Sequence, residues 1–233
     1  MRSIVACLAV VGGLVSATAA SPQNTPAPAA TTDVYHVHFA KAAPGQAAAL
    51  GTSLTTPDKT APMPEHFVVL RHQEGDDWDY VVIQHLGTKA EITTTAPPPS
   101  DAVRALTAWH SDTFVSGPSW ADFSKEMSIG GSSNALVYIV GVHRPVPGHR
   151  EQLLKSLSAA APSKVQTGNL VLQHLEGGEW SFATITRYNS WQDVAADRVA
   201  AASAGDAAGG WSDIRQHSAF HRDTLTDRIY PAK

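Results

Sequence analysis

The sequence has 233 residues, 43% of them hydrophobic, enough chain for one large or two small cored domains. Its 17 basic and 21 acidic residues leave a net charge of −4 with histidine neutral, and without a basic run that balance argues against nucleic acid or anionic lipid as a partner. The one cysteine, Cys7, excludes a disulfide framework, and beyond it the chain has no thiolate nucleophile or Cys-based metal site.

Arg2, the short apolar run from Ile4 to Val15 and the small-residue pattern Ala17-Thr18-Ala19 follow the order of a secretory signal peptide. The run is shorter than the roughly 20 apolar residues of a membrane span. Residues 1–20 are therefore expected to leave on export, to the periplasm or the medium, and Cys7 with them. A lipoprotein signal, with Ile4-Val5-Ala6 before Cys7, would have only a few residues for its apolar segment. Residues 21–32, SPQNTPAPAATT, lack any apolar period and are expected to form a disordered linker.

Two repeats are expected after it, over residues 33–127 and 134–233. In the first, the β-branched and aromatic run from Val34 to Ala40 predicts a strand, Pro44-Gly45 a turn, and Gln46 to Leu54 a helix. His66 to Gln73 predicts a second strand, Glu74-Gly75-Asp76-Asp77 a hairpin turn, and Trp78 to Leu86 a third strand. A second helix is expected from about Asp101 to Val115; Ala121 to Met127 offers a weak fourth strand. In the second repeat the corresponding segments are Leu136 to Val142, His149 to Leu157, Leu170 to Leu175, Trp180 to Tyr188 and a helix from about Trp211 to Thr226. The Ala-rich tract from Val194 to Gly210 reads as helix followed by a Gly-broken loop, either a lid or a variable insertion.

Spacing supports the repeat. Tyr35 and Tyr138 are 103 residues apart, as are Pro44 and Pro147. His72 and His174 are offset by 102, as are Trp78 and Trp180, and His110 and His221 by 111. The implied fold class is α+β: two ferredoxin-like β-α-β-β-α units with antiparallel sheets packed into an α/β barrel.

This order of strand, Pro-Gly, helix, strand, Glu-Gly turn and Trp-led strand resembles the dimeric α/β-barrel superfamily over about residues 33 to 230. There two ferredoxin-like units pack sheet to sheet; here both would lie in one chain as a tandem duplication. The resemblance implies a range of roles, among them haem-dependent enzymes and cofactor-free monooxygenases, and the fold alone does not choose between them.

Candidate chemistry rests on histidines and aromatics. Strand alternation puts His72 on one face with Leu70 and Val68, and His174 with Leu172 and Leu170. They either line a barrel pocket, as acid/base groups or haem ligands, or bond their hairpins. His110 and His221 fall on the apolar stripe of the expected last helix. Asp112 and Asp223, two residues on, would sit on a different helix face from them. Tyr35, Tyr138, Trp78 and Trp180 are core or pocket wall for a flat apolar ligand. His36-Val37-His38 is a strand H-x-H with both rings on one face, a weak metal candidate without a nameable third ligand. His217 and His221 are i, i+4 but lack the Glu of H-E-x-x-H, and no G-x-S-x-G, P-loop or dinucleotide fingerprint occurs.

Three functions are compatible with these residues: a small-molecule binding protein with a histidine-edged pocket, a haem-linked or cofactor-free oxidoreductase of the barrel type, and a structural or assembly protein acting through sheet edges. Monomer and homodimer both stay open.

Overall fold

Strands whose apolar residues alternate with outward-facing residues must bury one face, and eight of them close on themselves here. The computed structural model describes residues 32–57, 59, 66–88, 100–132, 135–159, 163–176, 179–207 and 210–232. The expected signal peptide and all but the last residue of the expected linker lie outside them. No helix among the described residues is long and apolar enough to cross a membrane.

The first half runs β1 (Asp33–Ala42), α1 (Ala47–Leu54), β2 (Phe67–Glu74), β3 (Tyr80–Gly87), α2 (Asp101–Arg104), β4 (Thr107–Gly117) and α3 (Trp120–Glu126). The second runs β5 (Val137–Pro145), α4 (Arg150–Leu157), β6 (Gly168–Glu176), β7 (Phe182–Tyr188), α5 (Trp191–Ala204), α6 (Trp211–His217) and β8 (Ser218–Tyr230). Within the closed barrel the order is β1-β3-β2-β8-β5-β7-β6-β4, with every neighbouring pair antiparallel. Each half thus contributes a four-stranded ferredoxin-like sheet, β4-β1-β3-β2 and β8-β5-β7-β6, and the β2–β8 and β4–β6 pairings close the barrel. The α+β barrel of ferredoxin-like units is as the sequence implies.

The last strand of each half corrects the sequence reading. Residues 107–117 and 218–230 are strands, where helices were expected to run to 115 and 226. Only the short α2 and α6 precede them. Residues 121–127, read as a weak strand, lie in α3 and its C-cap. The reason is visible in the buried faces. Inward positions of β4 include Thr113 and Val115, and those of β8 Thr224 and Thr226. Threonine is at home in strands but gives no hydrophobic alternation.

One apolar cluster fills the barrel. Tyr35, Val37 and Phe39 of β1 meet Tyr138 and Val140 of β5, Leu170 and Leu172 of β6, and Trp78 and Trp180. Phe123 of α3 closes one end, stacked on Tyr35 with ring centroids 4.9 Å apart. Tyr138 donates its hydroxyl proton to the Met127 carbonyl at 2.9 Å, and Tyr35 to Pro118 at 2.7 Å. The helices cover the outer faces: Leu50 of α1 packs on Ala40, Phe67, Val69 and Tyr80, and Leu153 of α4 on Phe182.

Candidate functional site: a histidine–carboxylate cluster beneath the first helices

Alternation that sends Tyr35, Val37 and Phe39 inward sends His36 and His38 outward, toward the helix side of the first sheet. The β1–β4 register places Asp112 opposite His38 and His110 opposite Ala40. Because β4 is a strand, His110 and Asp112 share its outer face, where the helical reading had separated them. The result is one carboxylate among three imidazoles. His38 Nδ1 stands 2.7 Å and His36 Nε2 2.9 Å from Asp112 Oδ1, and His110 Nδ1 stands 2.6 Å from Oδ2. Hydrogen bonds from His36 and then His38 hold the Asp112 carboxyl far below the ordinary carboxylate range. Partial burial opposes them but is outweighed, with the charge of His38 and the His110 hydrogen bond adding to the lowering.

These four side chains form the polar end of a cavity of about 740 Å³ between the first sheet and helices α1 and α2. Its other walls are largely apolar: Leu50, Leu54, Phe67, Val82, Val103 and Trp109 contribute to them. The volume lies within the usual range for small-molecule sites, roughly 300–1,000 Å³. The donor atoms of His38, His110 and Asp112 lie within 4.8 Å of one another, so this end is also the set among the described residues that could hold a metal ion.

The second half carries a related but different arrangement. His221 and Asp223 occupy on β8 the places of His110 and Asp112 on β4, opposite His143 and Gly141 of β5. His221 Nε2 is 2.9 Å from Asp223 Oδ1, while Arg198 of α5 donates to Oδ2 at 2.7 Å. Gly141 therefore stands where the first sheet has His38. A Cβ there would fall 2.6 Å from Thr184 Oγ1 and 2.9 Å from Asp223 Oδ1. His143 stacks on His221 with centroids 5.0 Å apart and stands 3.1 Å from Thr184 Oγ1. Burial, with the neighbouring His221 charge, pushes the His143 pKa down to about 4. Burial raises the pKa of Asp223, but the His221 hydrogen bond and the charges of His221, Arg198 and His143 outweigh it and hold the group at about 2. The cavity here is smaller, about 360 Å³.

The other residues singled out from sequence are dispersed. Tyr35 and Tyr138 are fully buried inside the barrel. Trp78 and Trp180 sit at one end of it, flanking an opening of about 340 Å³ with Phe39 and Phe220. His72 packs against Trp78 at 5.8 Å between centroids, and His174 Nδ1 is 2.5 Å from the Trp180 carbonyl. His110 and His221 lie on strands on the outer faces, away from any barrel interior. The barrel interior is filled by one aromatic and aliphatic cluster, so it does not fit a haem. Sequence reasoning missed His143 and Arg198, and it set Asp112 and Asp223 on a different face from the histidines they meet. A strand reading of H-S-D and H-R-D would have brought each aspartate to its histidine, since alternation puts both on one face.

No protein-family model matches the chain, and no curated protein matches its sequence. Solved structures share the fold. An anthrone oxidase-like protein superposes with a TM-score of 0.58 at 15% identity, covering 86% of this chain and 92% of that one. A candidate monooxygenase from Fusobacterium nucleatum superposes with a TM-score of 0.55 at 6% identity, covering 85% of this chain and 93% of that one. At such identities the likeness is one of fold: this chain has the architecture of the dimeric α+β-barrel proteins.

Proposed function

We propose that the chain is an exported protein that binds one small, flat, largely apolar molecule between its first sheet and helices α1 and α2. The observation that carries this reading is the cavity of about 740 Å³, apolar on its walls and closed at one end by His36, His38, His110 and Asp112. Apolar walls supply affinity for a ring system, and the polar end orients a hydroxyl or carbonyl group on it. Both sheets of the barrel come from one chain, so a monomer suffices for the site. Equal strand orders in the two halves, with the 103-residue spacing of Tyr35 and Tyr138, support descent from one duplicated unit.

The test is a titration with hydroxylated polycyclic aromatics, read by quenching of tryptophan fluorescence, since Trp109 lines the cavity. One site per chain is expected, with the affinity lost when Val82→Phe fills the space. The reading fails if no such ligand binds and no small molecule co-purifies from the native source. Sequencing the N-terminus of the exported form tests cleavage after residue 19 or 20.

A second reading, an oxidoreductase of the barrel type, is favoured by the histidine–carboxylate cluster at the cavity end and by the fold shared with the anthrone oxidase-like protein. Oxygen uptake in the presence of an anthrone, abolished by His38→Ala and Asp112→Ala together, would select it over simple binding.

A further inference from the structure

Asp112 and Asp223 occupy matching places in the two sheets, yet their neighbours differ in kind. Asp223 is answered by a permanent cation, the Arg198 guanidinium at 2.7 Å. Asp112 is answered by imidazoles alone among the partners described, two on Oδ1 and one on Oδ2. Imidazole is a donor to cations through its lone pair as readily as it is a hydrogen-bond donor. Two strands thus direct nitrogen and oxygen donors at one point on the rim of the cavity.

We propose that His38, His110 and Asp112 bind a divalent first-row transition-metal ion, with His36 as the outer partner that orients the carboxylate. The donor atoms lie within 4.8 Å of one another. Atoms held by one ion at about 2.1 Å stand roughly 3–4 Å apart, so small side-chain rotations close the set. The side chains of His38, Asp112 and His110 are 23%, 37% and 56% exposed, which gives an ion entry from solvent without opening the core. Two imidazoles and a carboxylate on one side of an ion leave further coordination positions open, and because all three ligands line the cavity those positions would face it. Imidazole donors favour iron, copper, nickel, cobalt or zinc over magnesium or calcium. On binding, the ring protons at Nδ1 of His38 and His110 move to Nε2 or pass to solvent, which leaves both lone pairs for the ion. The inference rests on the cavity reading only for the direction in which the open positions face.

Co²⁺ added to chelator-treated full-length protein, carrying no polyhistidine tag, is the direct test. One Co²⁺ per chain is expected, with visible ligand-field bands and displacement by Zn²⁺. His110→Ala and Asp112→Ala are expected to weaken binding by at least about tenfold, with His110 exposed enough for its variant to keep the fold. His221→Ala, in the other sheet, is expected to bind as the parent does. Unchanged affinity in both first-sheet variants, or equal loss in His221→Ala, overturns the proposal, as does a stoichiometry far below one. Titrating the aromatic ligand into the metal-free protein separates the two ideas: metal binding alone stands or falls with these side chains, and ligand binding alone with the cavity.

Discussion

Asp33, the first residue of β1, places its Oδ2 2.8 Å from His85 Nε2 and 2.9 Å from the backbone nitrogen of Trp120, so that one oxygen ties β3 and the start of α3 to the same strand end. His85 is 5% exposed and packs between Tyr35 and Trp120. Asp33→Ala removes the acceptor from both donors, one of them on the buried His85, and a cost of about 3 kcal/mol is expected. Asp33→Asn keeps one acceptor oxygen and should cost about 1 kcal/mol. Denaturant midpoints at constant slope measure both. Equal stability of the alanine variant and the parent would show that the contact is not formed.

His143 gives the protein a stability that depends on pH. Its pKa falls from 6.5 to about 4 in the fold because the ring is buried beside His221, with Thr184 and Asp223 as its other polar neighbours. Between those values the unfolded chain binds a proton that the folded one refuses, so stability is lost as the pH falls through this window and is fully present above it. The loss from this residue is about 3 kcal/mol. His143→Gln does not titrate and should flatten the slope between pH 6.5 and pH 4. Paired denaturation curves at the two ends of that window decide it.

How far the sequence carries to this structure depends on whether burial is apolar. The runs from Val34 to Ala40 and from Leu136 to Val142 bury valine, tyrosine and isoleucine, and their strands, turns and following helices are where the residues predict. β4 and β8 bury threonine, and β8 also Arg228, so the alternation that announces a strand is muted there. That one misreading also hid the site. His36 and His38 were visible as an H-x-H pair, but their partners His110 and Asp112 become neighbours only when residues 107–117 form a strand in register with β1. His38 and Asp112 are 74 residues apart, and the β1–β4 register that joins them is a long-range pairing within the first sheet that no local signal sets.

Gly75 shows a second long-range constraint, the closing β2–β8 seam, acting at a turn. The Glu74-Gly75 hairpin was legible as turn chemistry, yet its glycine is required by a contact made with the other half. Gly75 has φ +132, and a Cβ there would lie 2.5 Å from the Asp223 carbonyl oxygen and 2.7 Å from the Thr224 Cα, both backbone atoms of β8. Asp76 N–H donates to Thr224 Oγ1 at 3.3 Å beside it, and Arg222 pairs with Asp76 at 3.1 Å. Gly75→Ala must distort β8 or the hairpin, and a loss of about 2 kcal/mol or more is expected. Thermal unfolding measures it. Amide exchange should quicken first at Thr224 and Leu225, because the β2–β8 seam is where the strain is delivered.

The Ala-rich tract after Ser190 poses the choice between a lid and a fixed cover for the second sheet. Helix α5 spans Trp191–Ala204, and Asp197 at its centre is 4% exposed. Tyr188 of β7 donates its hydroxyl proton to Asp197 Oδ2 at 2.7 Å, and Ser163 reaches Oδ1 at 2.5 Å. Burial, then the hydrogen bond and charge of Asp197, push the Tyr188 phenol far above its ordinary pKa, so it is a proton donor at neutral pH. A helix free to open would not hold a buried carboxylate in this way, because each opening would expose the tyrosine and leave its partner to water. Tyr188→Phe removes one charged hydrogen bond while Ser163 remains, and a cost of about 1.5 kcal/mol is expected. Hydrogen exchange distinguishes the two behaviours. Slow exchange across residues 194–201 in the parent, with acceleration confined to this helix in Tyr188→Phe, is the outcome for a fixed cover, whereas fast exchange already present in the parent would identify a lid.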